Sequence, residues 1–365
     1  MREGWEYKKL GDSCVIEYGT RVVQKKDGGT IYPVYGGGGE TFRMDKYNRE
    51  NCLVVARFAM SRTCVRYVTG KFFLNDSGLS INAGKELLQS YLNHHILHLN
   101  DDIYNLGKGA AQRNLDVNSF RNLIITIPPL STQQSIVSEL DRINELIRLK
   151  KEQLKDYDKL AQSIFYEMFG DPVVNEKGWG IKKLGNFCEI GTGSTPSRKN
   201  KEYYEGSISW VKSTEVSNCV IDSTEEHISE IAIAETNCTI YPKGTILIAM
   251  YGQGKTRGQI AILNIEATTN QAVAAILPSE LCDKLFLYYC LHLMYENIRS
   301  MARGGNQANL NLAIVRSINI ILPPLPLQQT FAQRIELIEQ QKAEIQNTIA
   351  DLETLLASRM QYWFD

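Results

Sequence analysis

The eight cysteines of this 365-residue chain, Cys14, Cys52, Cys64, Cys188, Cys219, Cys238, Cys282 and Cys290, form no Cys-x-x-Cys pair and no zinc spacing. That excludes the sequence-readable zinc and thiol-redox sites and leaves buried free thiols in a reducing compartment as the expectation. No stretch approaches the roughly 18 apolar residues that a membrane helix requires. The opening MREGWEYKKLGDS lacks the apolar core of a secretory signal, so a cytoplasmic protein with no membrane partner is expected. Excess charge is missing too. The 40 Lys+Arg and 41 Asp+Glu leave a net charge of −1, too balanced for a free-standing nonspecific nucleic-acid binder, which is normally strongly basic.

Catalytic constellations are equally scarce. Ala249 to Thr256 (AMYGQGKT) loosely fits a nucleotide-binding loop after a strand-like run. Arg257-Gly258 then leads into another strand-like run, not into the helix whose N-terminus would hold a phosphate. His94, His95 and His98 lack the glutamate of a zinc protease and read as one face of a helix. Gly36-Gly37-Gly38-Gly39 and Gly191-Thr192-Gly193 mark turns without completing a dinucleotide fingerprint. No serine sits in a nucleophile elbow, and Pro128-Pro129 and Pro323-Pro324 lack the flanking residues of an amino-methyltransferase motif. No active site, metal site or cofactor site is read in this chain.

What the chain does have is a duplication. Gly4-Trp5, Lys8-Lys9-Leu10-Gly11, Cys14 and Gly19 recur 174 residues later as Gly178-Trp179, Lys182-Lys183-Leu184-Gly185, Cys188 and Gly193. Gly109, Gln112, Asn114-Leu115, Arg121, Pro128-Pro129-Leu130 and Gln133-Gln134 recur 195 residues later as Gly304, Gln307, Asn309-Leu310, Arg316, Pro323-Pro324-Leu325 and Gln328-Gln329. One framework is used twice around interiors that differ in sequence and length. Such a chain is expected to hold two related, non-identical recognition surfaces.

Each matched end continues into a heptad pattern. A four-then-three spacing selects Ile136, Leu140, Ile143, Ile147, Lys150, Leu154, Tyr157, Ala161, Ile164 and Met168, and again Phe331, Ile335, Ile338, Lys342, Ile345, Ile349, Leu352, Leu356, Arg359 and Trp363. One register kept over that length is a coiled-coil seam. Ile136, Leu140, Ile143, Leu154 and Tyr157 are expected to pair with Ile335, Ile338, Ile345, Ile349 and Leu352, antiparallel and within one chain, which makes the molecule pseudo-two-fold. A capping box of Ser131 and Gln134 predicts a start near Thr132, and Phe169-Gly170-Asp171-Pro172 predicts the stop. The resulting 38-residue helix would be about 57 Å long.

The interiors read as mixed β with a few helices, from runs such as CLVVAR (Cys52 to Arg57), TILIAM (Thr245 to Met250) and QIAIL (Gln259 to Leu263). The predicted fold is α+β: two tandem pseudo-symmetric domains, 1–130 and 173–327, each followed by a long helix segment, 131–172 and 328–365. Residues 1–130 carry a net charge of +4 and 173–327 a net of 0, whereas the helix segments carry −2 and −3. The basic residues of the interiors sit among Gly, Ser, Thr, Asn and Tyr, the mix that contacts phosphates and base edges. The candidates for DNA contact are Lys25, Arg43, Arg57, Arg62 and Arg66 in the first half, and Arg198, Lys212, Tyr251, Gln253, Lys255 and Arg257 in the second.

In this order, and duplicated, the motifs resemble the specificity subunit of a type I restriction-modification system. The resemblance covers the chain and is carried by Ile127-Pro128-Pro129-Leu130-Ser131-Thr132-Gln133-Gln134, by its counterpart Leu322 to Gln329, and by Gly178-Trp179 with Leu184-Gly185 opening the second half. Tyr32 to Gly36, Gly109 to Leu115 and Gly304 to Leu310 are similar to stretches of the family's target-recognition domains. The resemblance implies a non-catalytic subunit that recognises a bipartite, asymmetric site in double-stranded DNA, with the helices as a spacer. It also implies docking of two methyltransferase subunits, which bring S-adenosylmethionine, and of restriction/translocase subunits that use ATP and Mg. A coiled-coil adaptor that binds only proteins is the alternative, and it predicts no salt-dependent DNA binding by the assembled complex. An enzyme with a degenerate site predicts activity from the chain alone.

Overall fold

The structure, a computed structural model, describes residues 2–109, 112–252, 254–302 and 309–365. The chain forms two units, Met1–Glu152 with Gln346–Asp365, and Gln153–Ile345.

Unit 1 is built on a six-stranded sheet in the order Cys14–Tyr18, Gly78–Ala83, Arg49–Ala56, Val65–Leu74, Tyr32–Gly36, Gly39–Met44. Its central run is buried on both faces. Leu53 and Val55 point into the core shared with the helix Gln89–His98, whereas Cys52 and Val54 enter a smaller cluster with Phe72 and Leu74. This is the period-two alternation of a strand covered on both sides. Unit 2 has a five-stranded sheet in the order Ile190–Thr192, Val273–Ile276, Ile246–Ala249, Ile260–Leu263, Cys219–Ile221. There Ile246 and Ile248 face the helix Lys284–Leu293, and Leu247 and Ala249 face the other way. The first five strands of the two sheets correspond one to one, the fifth running parallel to the fourth in both. The duplication therefore runs through the interiors, where residue identity does not show it.

Beyond those five strands the units differ. Unit 1 adds Gly39–Met44, which pairs antiparallel with Tyr32–Gly36, and unit 2 adds a separate sheet in the order Glu226–Ile228, Ile208–Val211, Thr268–Thr269. The matched segments at the start and end of each half pair antiparallel: Glu6–Lys9 with Ile124–Ile127, and Ile181–Lys183 with Asn319–Ile321.

The two long helices, Leu130–Phe169 and Leu325–Phe364, are both 40 residues, about 60 Å at about 1.5 Å per residue. None of the twenty seam positions is exposed. The helices pack together antiparallel, because in each unit rising numbers on one meet falling numbers on the other. In unit 1, Lys151 pairs with Glu353 at 2.7 Å, and Glu139 accepts from Arg359 and, at 3.1 Å, from Trp363 Nε1. In unit 2, Lys342 pairs with Asp158 at 2.8 Å, and Phe331 packs on Phe165 and Phe169. Burial alone would lower the Lys342 pKa, but its hydrogen bonds to Asp158 and Glu339 outweigh that and raise it. A charged residue in the seam is tolerated because its partners lie at the rim.

The first helix ends at Phe169 as predicted, with Gly170 at φ +77, the left-handed conformation of a C-terminal glycine. Its start differs from the capping-box expectation. It begins at Leu130 because the Pro129 carbonyl accepts from the N–H groups of Thr132 and Gln133 at 2.9 and 3.0 Å. Gln133 is buried; its Nε2 donates to Pro128 O and Glu86 O, both at 2.8 Å, and its Oε1 accepts from Leu88 N–H at 2.8 Å. Gln328 repeats this, donating to Pro323 O at 2.8 Å and accepting from Asp283 N–H at 2.9 Å. The duplicated glutamines thus fasten each long helix to the start of the shorter helix beside it.

The three-histidine face packs against the long helices of unit 1 and the residue that follows the second of them. His94 Nε2 lies 2.8 Å from Asp141, His98 Nε2 lies 2.7 Å from Asp365, and His95 is buried and stacked on Phe364 at 4.6 Å. Burial, with a smaller repulsion from His98, pushes the His95 pKa down to about 3, while Arg359 and then Trp363 hold the Glu139 carboxyl below its usual range. An unfolded chain takes up a proton at histidine below pH 6.5 that the buried ring refuses, so unfolding is favoured as pH falls. Unit 1 is expected to lose about 2 kcal/mol from this residue between pH 6.5 and pH 5. Protonation of Glu139 adds to the loss at lower pH. Urea midpoints at pH 7.5 and 5 check this: His95→Phe should flatten the slope, and an unchanged slope would refute the assignment.

Candidate nucleic-acid interface

Two loops occupy the same place in the duplicated sheet. Residues 57–64 join Arg49–Ala56 to Val65–Leu74, and residues 250–259 join Ile246–Ala249 to Ile260–Leu263. The strand register aligns them. Ala56 lies opposite Gly78 and Ala249 opposite Val273, and Gly78 and Val273 are themselves 195 residues apart. Backbone bonds at the loop bases repeat as well: Arg57 N–H donates to Ser77 O and Met250 N–H to Ala272 O, each at 2.8 Å.

The duplicated Asn-Leu motif forms the seat of each loop. Leu115 and Leu310 are buried, and their N–H groups donate to Arg57 O at 2.8 Å and to Met250 O at 3.0 Å. Asn114 Oδ1 also accepts from Ala59 N–H at 3.2 Å. From the other side, Asn100 Nδ2 donates to Arg62 O at 2.8 Å, and the equivalent Tyr295 hydroxyl donates to Lys255 O at 2.6 Å. Arg299 adds bonds to Arg257 O at 2.8 Å and Gly254 O at 2.9 Å, with its guanidinium 5.3 Å from the Tyr295 ring. The loops are thus anchored through their backbones, which frees their side chains to differ between the halves.

The sequence candidates fall into two groups. Arg57, Arg62 and Arg66 belong to or border the first loop. The Arg57 guanidinium lies 4.4 Å from the Phe58 ring and 4.9 Å from Tyr18, and Arg62 lies 5.2 Å from Tyr104. Arg66 donates to Gly37 O at 2.8 Å and Thr63 O at 3.0 Å, linking the loop to the glycine turn. A Cβ at Gly37 would meet Phe58 O at 2.6 Å, so only glycine fits that approach. Tyr251, Lys255 and Arg257 lie on the second loop, with Tyr251 and Lys255 exposed. Gln253 is outside the described residues.

The remaining candidates sit elsewhere. Lys25 is exposed on the single turn Gln24–Asp27, and Arg43, on Gly39–Met44, donates to Ile31 O at 3.0 Å and pairs with Glu40 at 3.4 Å. Arg198 pairs with Glu226 and stacks on Tyr204 at 4.2 Å; Lys212 pairs with Glu225 at 2.7 Å and Glu226 at 3.0 Å. Arg198 first, then Lys212, holds the Glu226 carboxyl down to about 2. These two cations are compensated by the protein's own carboxylates and offer a phosphate less than their charge suggests. Sequence reasoning passed over Phe58, Asn100, Tyr295 and Arg299, and Arg113, whose guanidinium lies 4.7 Å from the Tyr104 ring that Arg62 also faces. Carrying the 195-residue offset back to Asn100 and Tyr295 would have found that pair.

Among the described residues, no group of three or more His, Cys, Asp or Glu side chains is placed to hold a metal, and no helix is long and apolar enough to cross a membrane. A family model described as a type I restriction modification DNA specificity domain matches residues 2–156 and again 176–354. Over 197 residues the chain is 32% identical to the specificity subunit of the type I restriction enzyme MjaIX of Methanocaldococcus jannaschii, covering 52% of this chain and 44% of that protein. It is 25% identical over 213 residues to the EcoR124I/EcoR124II specificity subunit of Escherichia coli, covering 57% of this chain and 52% of that one. The chain thus spans about half the length of the curated relatives it matches. The crystal structure of a type I restriction-modification S subunit from M. genitalium superposes with a TM-score of 0.59 at 16% identity, covering 99% of this chain and 96% of that one. A chain from a study of complex assembly and conformational transition of the type I system gives 0.60 at 20% identity, covering 99% and 97%. These two show the same fold.

Proposed function

Because the chain belongs to the type I restriction-modification DNA specificity family, we propose that it is the non-catalytic subunit that selects the site for such a complex. Each unit reads one half of a split, asymmetric duplex sequence through its own loop, 57–64 or 250–259. The paired helices set the unread gap between the half-sequences. The observation that carries this reading is one backbone scaffold seating two loops of unrelated sequence, which suits two different half-sequences read in one manner. Arg57, Arg62 and Arg66 contact the first half-site, and Tyr251, Gln253, Lys255 and Arg257 the second; the bidentate base contacts, each worth about 1–3 kcal/mol, come from the arginine and glutamine side chains among them. Two methyltransferase subunits dock on the chain and supply S-adenosylmethionine chemistry on adenine, and restriction/translocase subunits supply ATP- and Mg-dependent cleavage.

The test is to express the chain with its methyltransferase subunits in an unmethylated host and map modified adenines. Two unlike half-sequences with one fixed gap are expected. Removing one facing heptad from the middle of each long helix keeps the seam in register and takes out about 10 Å. At about 3.4 Å per base pair the gap should shrink by about three base pairs with both half-sequences unchanged. An undivided motif, or no methylation by a wild-type complex that assembles, overturns the reading.

A further inference from the structure

We propose that Phe58 and Tyr251 are a matched pair of base-stacking side chains, each pressed into a distorted base step of the half-site that its own unit reads. This rests on the DNA-reading function proposed above. The register that equates Ala56 with Ala249 also equates Phe58 with Tyr251. Few side chains are shared between the loops: Arg57 stands opposite Met250, and Met60 opposite Gln253. At this position an aromatic ring is kept in both.

Both rings are exposed, Phe58 to 36% and Tyr251 to 40%, although each lies two residues beyond the buried end of a central strand, Ala56 or Ala249. Both are followed by a residue with positive φ, Ala59 at 49° and Gly252 at 144°. For alanine this conformation is uncommon and persists only where the surroundings impose it. Here they do, since Asn114 Oδ1 accepts from Ala59 N–H at 3.2 Å and Arg113 O accepts from Met60 N–H at 2.9 Å. In both loops a positive-φ residue sits directly behind the ring, Ala59 in the left-handed helical region and Gly252 in a more extended one. In unit 1 the ring is backed by the Arg57 guanidinium at 4.4 Å, a cation beside the apolar surface. In unit 2, Lys255 and Arg257 supply cations on the same loop.

An apolar ring carried on a basic loop matches the wedges that unstack base steps, and stacking accepts any base because every base has a π face. This explains why the ring is common to both loops while the residues around it differ: the neighbours choose sequence, and the ring holds the deformed step. Phe58 and Tyr251 should therefore govern affinity without governing which bases are selected.

The experiment uses the complete complex with its methyltransferase subunits, on duplexes carrying the motif mapped for the wild type, with 2-aminopurine placed at successive positions of each half-site. Phe58→Ala and Tyr251→Ala should each weaken binding about 10- to 100-fold, with the methylated motif unchanged. Phe58→Ala should abolish the fluorescence rise only in one half-site, and Tyr251→Ala only in the other. Tyr251→Phe and Phe58→Tyr keep the ring and should bind as the wild type does. Phe58→Leu, which keeps apolar bulk and guards against a folding artefact, should bind between wild type and Phe58→Ala, because leucine can still wedge a step but has no π face to stack. The proposal is overturned if the alanine variants bind within twofold of wild type, if they relax the motif, or if Tyr251→Phe is as defective as Tyr251→Ala, since that result assigns the role to the hydroxyl. Absence of any split motif for the wild type overturns the functional reading instead, and is seen before any variant is made.

Discussion

Phe165→Ala is expected to lower the stability of unit 2 by about 3–5 kcal/mol, the range for removing a fully buried aromatic ring. Phe165 lies on the first long helix with its ring 5.0 Å from Phe169, 5.6 Å from Phe286 and 5.5 Å from Phe331. Those partners belong to three different helices, and all four rings are fully buried. The truncation leaves a cavity at the point where the two long helices meet the helix that covers the sheet. Tilted and edge-on aromatic pairs add about 0.5–1.5 kcal/mol beyond the area they bury, so the cost falls at the upper end. Differential scanning calorimetry should show the corresponding transition lowered by on the order of 10 °C. Phe165→Leu should recover more than half of the loss, and a shift under about 2 °C for the alanine variant would refute the four-ring packing.

Gln328→Ala should come next, at about 2–5 kcal/mol. The fully buried amide bonds Pro323 O in a dry setting and Asp283 N–H in a half-buried one, and deleting it leaves a carbonyl and an N–H without their protein partner. Each such group costs about 1–3 kcal/mol. Gln328→Glu is the informative companion. A carboxylate can still accept from Asp283 N–H but has no proton to give to Pro323 O, so two oxygens face each other. The glutamate variant should be destabilised at pH 8 and partly recover towards pH 5, where protonation restores a donor. Equal stability of Gln, Glu and Ala at pH 8 would show that this amide does not fasten the helix.

The long helices were legible because one repeat of four and three residues persists over twenty positions, and every one of those positions is shielded from water. The equivalence of the two sheets was not legible. The offset between halves is 174 at Ile16 and Ile190, 193 at Ala56 and Ala249, and 195 from Gly78 and Val273 onward. A strand is defined by hydrogen-bond register between distant residues, and CLVVA and ILIA share buried alternation without shared identity. In the candidate interface, residue type pointed to the loop arginines. It could not show that Arg198 and Lys212 meet Glu226, because pairing across strands depends on the fold. Phe58 was passed over because an aromatic next to an apolar strand reads as core.

Unit 2 is continuous in sequence, whereas unit 1 is completed by residues 346–365, whose Phe364 ring lies against Tyr91 and His95. On the ribosome, then, the half that emerges first is finished last. Every segment of unit 2 has been synthesised while Tyr91 and His95 still lack their cover, and the nascent first half must wait with an apolar seat open. A translation stop between residues 345 and 360 would leave the second half whole and the first permanently uncapped, a natural target for chaperones and proteases.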